Sequence, residues 1–181
     1  DASINPSSTP HSITPVKELL YFAANDIRHG LELWCSDGTE SGTRLVKDIF
    51  PGRASSNPSE LTAVGDQLFF VAEDGNHGYE LWRSDGTTPG TAMMEEINPF
   101  GSARPAELTA FKDELVFSAY RPLDGEELWI VEPGKEPHLL RDINGGKGSS
   151  KPRDLVVWKD HVYFRADDGV HGEEFWRTDG S

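Results

Sequence analysis

Short apolar runs alternate with turn residues along the chain, and this pattern predicts strands rather than helices. Between residues 61 and 107 the runs are LTAV, QLFFVAED, YELWRS and AMMEEI, and none sustains a helical spacing of apolar residues over a helical length. They are separated by the pair Gly65–Asp66 and by the turn stretches DGNHG and DGTTPGT. The segment therefore predicts four short antiparallel strands, over residues 61–64, 67–74, 79–84 and 92–97.

The same plan recurs along the whole chain. The column of Trp34, Trp82, Trp129 and Trp176 has spacings of 48, 47 and 47 residues, and the column of Ile13, Leu61, Leu108 and Leu155 has the same spacings. A period of this size is typical of solenoids and propellers, and four short strands in each period favour a propeller blade. We therefore predict an all-β fold, a β-propeller of four-stranded antiparallel blades.

The two ends of the chain predict how the blades are arranged. Residues 1–10 resemble the tail of a repeat, whereas the last repeat stops at TDGS, where its fourth strand should begin. We predict one domain over residues 1–181, with repeat units 13–60, 61–107, 108–154 and 155–181 plus 1–12. Its four-bladed ring would be closed by terminal strands that share one blade. The alternative is a slice of a longer array, and a chain that begins at Asp1 rather than Met is expected to be a processed product or an excerpt.

The residues that recur in each repeat are interpreted mainly as structural. We expect the Trp column to fill the space between blades, because every such space needs a large apolar side chain. The column of Glu32, Glu80, Glu127 and Glu174 either lines a channel that holds a cation or, as we favour, accepts N–H bonds within each blade. Asp37, Asp85 and Asp179 each precede Gly, which is turn chemistry.

Charge and missing motifs exclude several functions. The net charge of −14 disfavours nucleic acid and an anionic membrane surface, and there is no apolar run of 18 residues. The chain lacks a Gly-rich phosphate loop, a nucleophile elbow and an HExxH motif, so we expect no enzyme. No metal site is predicted, although Ca²⁺ remains compatible with the acidic composition. Cys35, the only cysteine, is either a semi-buried thiol or an intermolecular cross-link between copies.

Candidate binding residues lie where the alternation of strands brings variable loops together. The turn between the second and third strands and the connection between blades should emerge on the same face of the ring, and loops on a rigid scaffold commonly bind ligands. The predicted ligand-binding residues are Arg28, His29, Asp74, His77, Arg104, Asp124, Lys151, Asp168 and His171. We expect weak pockets repeated in each blade rather than one shared metal, because a ring would hold these side chains ~10 Å or more apart.

The segments ELWCSDGTESGT (residues 32–43) and ELWRSDGTTPGT (residues 80–91) resemble the ELWxxDGT repeat family, and EFWRTDGS at the end of the chain is a truncated form. The third repeat keeps only Glu-Leu-Trp. The resemblance implies a β-repeat protein, secreted or on the surface of bacteria, and brings no catalytic residues. The expected function is a non-catalytic extracellular binding module for glycan, as in a lectin, or for another extracellular ligand. The alternative is a structural or adhesive assembly protein.

Overall fold

The computed structural model of the protein describes residues 7–181, which form an all-β structure. This part of the chain contains fifteen strands in four antiparallel sheets. It contains no helix of the length and apolar character needed to cross a membrane. The predicted all-β, propeller-like organisation in consecutive blade-like sheets is therefore confirmed.

The first of two compact units spans residues 1–93 and contains two sheets. Sheet 1 consists of β1 (His11–Val16), β2 (Leu19–Asp26), β3 (Gly30–Ser36) and β4 (Arg44–Lys47), in that order. Sheet 2 consists of β5 (Ser59–Val64), β6 (Gln67–Glu73), β7 (Tyr79–Ser84) and β8 (Ala92–Met93), again in chain order.

The second unit spans residues 94–181. Sheet 3 consists of β9 (Ala106–Phe111), β10 (Glu114–Arg121), β11 (Gly125–Val131) and β12 (His138–Arg141). Sheet 4 consists of β13 (Arg153–Trp158), β14 (His161–Asp167) and β15 (Glu173–Thr178). Within every sheet, neighbours in the sequence are neighbours in space, so each repeat unit folds as a meander.

The tight turn between the first two strands of a sheet forms as the sequence predicts. In sheet 2, Val64 pairs with Gln67, so Gly65 and Asp66 form a two-residue connection. The first turn residue adopts a left-handed conformation, with φ of 54° at Gly65 and also 54° at Lys112. Such a backbone matches the twist of the paired strands, which fixes their register.

Each unit buries its apolar side chains between its two sheets. In the first unit, Leu33 of sheet 1 packs with Phe70 and Trp82 of sheet 2 in one buried cluster. In the second unit, Leu128 of sheet 3 packs with Phe164 of sheet 4, and the partly buried Trp176 lies against the same cluster. The expectation that the Trp column fills the space between blades is confirmed for these two pairs of sheets.

The fourth strands differ from the prediction. Strand β8 contains two residues rather than the predicted six. Beyond its end, the backbone N–H of Glu95 donates to the Glu136 carboxylate (2.8 Å). Sheet 4 contains three strands among the described residues. The strand expected from residues 1–10 lies largely outside the described residues, so a single domain whose ring closes at its termini stays a prediction.

Candidate binding face

Three of the four sheets carry the same Asp-x-x-His turn between their second and third strands. In sheet 2, Oδ1 of Asp74 accepts the backbone N–H groups of Asn76 (2.9 Å) and His77 (3.0 Å), and Oδ2 lies 2.8 Å from Nδ1 of His77. The Asp26–His29 turn of sheet 1 and the Asp168–His171 turn of sheet 4 have the same three contacts, with Oδ2–Nδ1 distances of 2.7 Å in both. The carboxylate therefore fixes the turn and the imidazole ring together.

These hydrogen bonds keep the carboxylates ionised. Burial opposes ionisation of Asp26 and Asp74, but the hydrogen bonds from their turns outweigh it and lower the pKa of both groups. At Asp168, the hydrogen bond from the His171 side chain is the largest cause, and the pKa falls to about 2. The same bond raises the pKa of His171, with the negative charge of Asp168 adding to the effect.

The orientation of the imidazole determines what each turn can bind. A neutral ring that donates Nδ1–H to the carboxylate keeps Nε2 as a hydrogen-bond acceptor, and a protonated ring donates from Nε2. The turns therefore suit hydroxyl-bearing ligands, which both donate and accept. Among residues 7–181, no group of three or more His, Cys, Asp or Glu side chains is placed to hold a metal ion.

The third repeat has an Arg–Asp ion pair in place of the Asp–His pair. Arg121 donates from Nε to Oδ2 of Asp124, so the cation precedes the carboxylate and no imidazole is presented. A cavity of about 410 Å³ lies near this end of sheet 3 and is lined by Ser102, Arg104, Tyr120 and Glu126. The predicted residue Arg104 thus lies in a polar pocket, whereas Asp124 is held in an ion pair.

Beside the turn of sheet 2 lies a polar cluster that sequence reasoning missed. Asn57, in the connection that precedes sheet 2, donates from Nδ2 to Oε1 of Glu73 (3.2 Å) and to the hydroxyl of Tyr79 (3.3 Å). The hydrogen bond with Glu73 raises the pKa of the Tyr79 hydroxyl. Asn57 reaches these partners from a left-handed backbone with φ of 50°. Glu73 and Tyr79 flank the Asp74–His77 turn in sequence, so the cluster extends the polar surface that the turn begins.

The other predicted residues, Arg28 and Lys151, are exposed. Arg28 is exposed and lines a cavity of about 650 Å³ together with Asp26, Phe22 and Trp34. Lys151 is exposed, with φ of 48°. His29, His77 and His171 each pair with the aspartate of their own turn, as described above. That the nine predicted residues bind a ligand stays a prediction.

Two of the four recurring Glu residues, Glu32 and Glu127, accept backbone N–H bonds as predicted, whereas Glu174 is exposed. Buried Glu32 accepts N–H groups from Ile49, Phe50 and Ser56, and its Oε2 lies 2.6 Å from the Ser56 hydroxyl. Buried Glu127 accepts the corresponding bonds from Ile143, Asn144 and Ser150. These carboxylates therefore attach the connection between blades to its sheet.

The aspartates before glycine and the single cysteine have structural roles or buried surroundings. Asp37, Asp85 and Asp179 accept the N–H of the residue two positions later, at 2.9, 2.9 and 3.2 Å, which confirms the prediction of turn chemistry. Cys35 is buried in the core of the first unit, and burial raises the pKa of its thiol. An intermolecular disulfide through Cys35 would require that core to open.

The pairing of Asp168 with His171 can be tested by titration of the His171 ring. We expect Asp168→Asn to return the pKa of His171 toward its ordinary value of 6.5, because the substitution removes the negative charge that the ring faces. Asp168 contributes stability above its ordinary pKa of 3.8, and the contribution is lost as pH falls toward 2. The raised pKa of His171 contributes stability below pH 6.5 that is lost as pH rises through the folded value, so the pair is strongest between these two limits.

Histidine ring signals followed by NMR across pH provide the measurement. Asp160→Asn, in the tight turn at the opposite end of sheet 4, is the matched control and should leave the titration of His171 unchanged. An unaltered His171 titration in Asp168→Asn would show that the two side chains are not paired in solution.

Comparisons with known proteins identify similar folds and no family. No family model matches the chain, and no curated protein matches it. The structure is similar to a puromycin hydrolase mutant complexed with PGG, with a TM-score of 0.62 and 16% identity over 96% of this chain and 27% of that chain. It is also similar to the computationally designed Ika8 protein, with a TM-score of 0.51 and 15% identity over 95% of this chain and 49% of that one.

A third structure, GH43B of the Bacteroides ovatus xyloglucan PUL, aligns with a TM-score of 0.45 and 16% identity over 96% of this chain and 39% of that chain. The chain thus spans about a quarter of the length of the hydrolase and about half of the designed protein. At these identities, the first two similarities show that the protein shares a fold with those chains.

Proposed function

We propose that the protein is a non-catalytic binding module that recognises a hydroxyl-rich ligand, such as a glycan, through the Asp-x-x-His turns. The observation that carries the proposal is that three sheets present an imidazole oriented by a carboxylate in the same geometry. Each turn offers one or two directed hydrogen bonds, which gives a weak site. Several weak sites on one scaffold bind a multivalent ligand with avidity, and polysaccharides are ligands of that kind.

The surroundings of the turns support the same class of ligand. The hydroxyl of Tyr79 and the side chains of Asn57 and Glu73 add donors and acceptors beside the turn of sheet 2. The ionised carboxylates and the net charge of −14 favour neutral or cationic ligands over acidic ones. A secreted or cell-surface location, implied by the resemblance to the ELWxxDGT repeat, is part of this proposal.

The six histidines of the chain allow a matched test of ligand binding. The wild-type protein is applied to an array of immobilised glycans, with and without Ca²⁺, and each glycan that binds is titrated by calorimetry. We expect the triple variant His29→Ala, His77→Ala, His171→Ala to bind at least about tenfold more weakly, because each substitution removes a hydrogen bond that contributes about 0.5–1.5 kcal/mol.

The control is the triple variant His11→Ala, His138→Ala, His161→Ala, which changes the three histidines outside the Asp-x-x-His turns and should retain binding. Failure of the wild-type protein to bind any glycan, under both conditions, would reject the glycan proposal. Equal losses in the two triple variants would show that the turns are not the site.

A second candidate function is assembly of copies of this chain. It is favoured by a separate observation: Phe175, which occupies the repeat position of the buried Leu33 and Leu128, is 74% exposed. This observation does not involve the Asp-x-x-His turns, so the two functions are compatible.

A further inference from the structure

The two contacts between sheets within the units follow one rule. Each sheet has a leucine face, named for the Leu33 position of the repeat, and a tryptophan face, named for the Trp34 position. In the first unit, Leu33 and Tyr21 on the leucine face of sheet 1 pack against Leu68, Phe70 and Trp82 on the tryptophan face of sheet 2. In the second unit, the leucine face of sheet 3 packs against the tryptophan face of sheet 4 in the same way. A leucine face is therefore covered by the tryptophan face of the next repeat.

The leucine face of sheet 4 is uncovered and strongly apolar. Trp158 and Val156 are each 58% exposed, and with Phe175 and Tyr163 they line a groove of about 500 Å³. The rings of Tyr163 and Phe175 are stacked, with centroids 5.5 Å apart, and Trp158 lies 5.7 Å from Tyr163. A contiguous aromatic surface of this kind marks a site of association.

The tryptophan face of sheet 1 is also partly uncovered. Leu20 is 44% exposed, whereas Leu68 and Val162 at the same repeat position are fully buried. The indole N–H groups of Trp82, Trp129 and Trp176 each donate to an alanine carbonyl at 3.1 Å. Nε1 of Trp34 has no hydrogen-bond partner among residues 7–181, and Trp34 lines the cavity of about 650 Å³ described above. Within the described part of the chain, this face therefore lacks the hydrogen bond and the packing that hold the other three tryptophans.

We propose that two copies of this chain associate head to tail, with the leucine face of sheet 4 in one copy packed against the tryptophan face of sheet 1 in the other. A second copy of the chain supplies the matching surface, because a tryptophan face covers the leucine face within each unit and sheet 1 presents an exposed one. The contact joins two different surfaces, and such a contact forms a closed ring when the rotation between copies closes and a filament when it does not. The proposed assembly is the smallest closed ring, which contains two copies.

The charges at the edge of the leucine face of sheet 4 fit an interface between copies. Arg165 replaces the buried Ala23 and Ser118 of sheets 1 and 3, and its guanidinium contacts Oδ2 of Asp154 (2.6 Å) and Oε1 of Glu173 (2.8 Å). Arg153 also pairs with Glu173. A polar margin around an apolar centre is the usual composition of a protein–protein interface, and paired charges keep the face soluble before association.

The test measures the mass of the protein in solution by light scattering and sedimentation over a range of concentrations. We expect the wild-type chain to have twice the mass of one chain. Phe175→Asp and Leu20→Asp, one on each face, should each weaken association by at least tenfold, since either substitution buries a charge in the contact. An equimolar mixture of these two variants should recover association, because one copy then has an intact leucine face and the other an intact tryptophan face.

Phe100→Asp is the control, because Phe100 is 86% exposed but lies in a connection rather than on a sheet face. It should leave the mass unchanged. Circular dichroism must show the wild-type spectrum for each variant, and Phe175→Ser replaces Phe175→Asp if the latter does not fold.

A wild-type chain that stays monomeric at all concentrations would overturn the proposal in favour of closure within one chain or a longer array. Loss of mass in the control, or a mixture of the two variants that stays monomeric, would also overturn it. None of these results depends on glycan binding, so this proposal and the ligand proposal fail separately.

Discussion

We expect Glu127→Ala to destabilise the second unit by at least about 3 kcal/mol. The Glu127 carboxylate accepts N–H groups from Ile143 (2.8 Å) and Ser150 (2.9 Å), and its Oε2 lies 2.6 Å from the Ser150 hydroxyl. Truncation removes the acceptor of the Ile143 N–H group and leaves the Ser150 N–H and hydroxyl with only the Glu126 carbonyl oxygen, at 3.0 and 3.4 Å. A buried donor without an acceptor costs about 1–3 kcal/mol, and loss of the bonds from Ser150 to a charged group costs about 1.5–3 kcal/mol more. For a chain of this size, 3 kcal/mol corresponds to a fall of roughly 6–12 °C in the midpoint of thermal unfolding.

Glu127→Gln should have a smaller effect, of about 1–2 kcal/mol, because the amide keeps the shape and one acceptor oxygen while its NH₂ group faces a donor. Burial raises the pKa of Glu127, although the hydrogen bonds oppose this shift. A raised folded pKa contributes stability below the ordinary value of 4.5 that is lost as pH rises through the folded value. The wild-type chain should therefore exceed Glu127→Gln in stability by more at pH 4 than at pH 7.

Glu126→Ala is the matched control for both substitutions. Glu126 precedes Glu127 in the same strand and contacts the connection through its backbone, which accepts the N–H of Ser150 (3.0 Å). The side chain of Glu126 can therefore be removed with these bonds intact, and we expect a change within about 0.5 kcal/mol. Equal destabilisation by Glu126→Ala and Glu127→Ala, measured by thermal unfolding, would contradict the anchoring role of Glu127.

The role of Glu127 was accessible from the sequence because it depends on a repeated position. A carboxylate that recurs beside a tryptophan in every unit predicts a function common to every blade, and bonding to its own backbone is such a function. The strands were predictable for the same reason, since alternating apolar residues and turn residues act locally. The partners Ile143 and Ser150 were not predictable, because they lie 16 and 23 residues from Glu127 and depend on the path of the connection.

The positions of the turns were predictable from the sequence, whereas ligand binding by their residues stays a prediction. Aspartates and histidines were predicted in the same turns but not as pairs, although the Asp-x-x-His spacing at 26–29, 74–77 and 168–171 is present in the sequence. Asn57 could not be assigned to the face, because it reaches Tyr79 across 22 residues, a separation over which a local pattern contains no information. Periodicity therefore predicts where the loops lie, and three-dimensional contacts determine which side chains they present together.

The shortness of β8 has a similar origin. The run AMMEEI has the composition of a strand, and its first two residues pair with β7. Beyond Met93, the N–H of Glu95 donates to the carboxylate of Glu136, which lies 41 residues away in the sequence. A local pattern contains no information about such a competitor, so the end of the strand was the part of the prediction that failed.

We expect Gly125→Ala to destabilise the second unit by about 3 kcal/mol or more. Gly125 begins β11 with φ of 76°, a conformation that costs an L-residue about 1–2 kcal/mol. A Cβ atom at this position would lie 1.7 Å from the carbonyl oxygen of Gly148, in the connection that Glu127 anchors. Because the obstacle is backbone rather than a flexible side chain, the connection must move, and displacing packed structure costs about 1–3 kcal/mol more.

Gly134→Ala separates the conformational cost from the steric cost. Gly134 lies in a turn of the same sheet with a similar φ of 72°, and a Cβ atom added there would meet no neighbouring atom within 4 Å. This control should show only the conformational cost, about 1 kcal/mol, in thermal or denaturant unfolding. The difference between the two variants then measures how tightly the connection crosses β11. If the two alanines destabilise equally, the connection does not pass close to Gly125 in solution, and the anchoring bonds of Glu127 to Ile143 and Ser150 would lose their geometric basis.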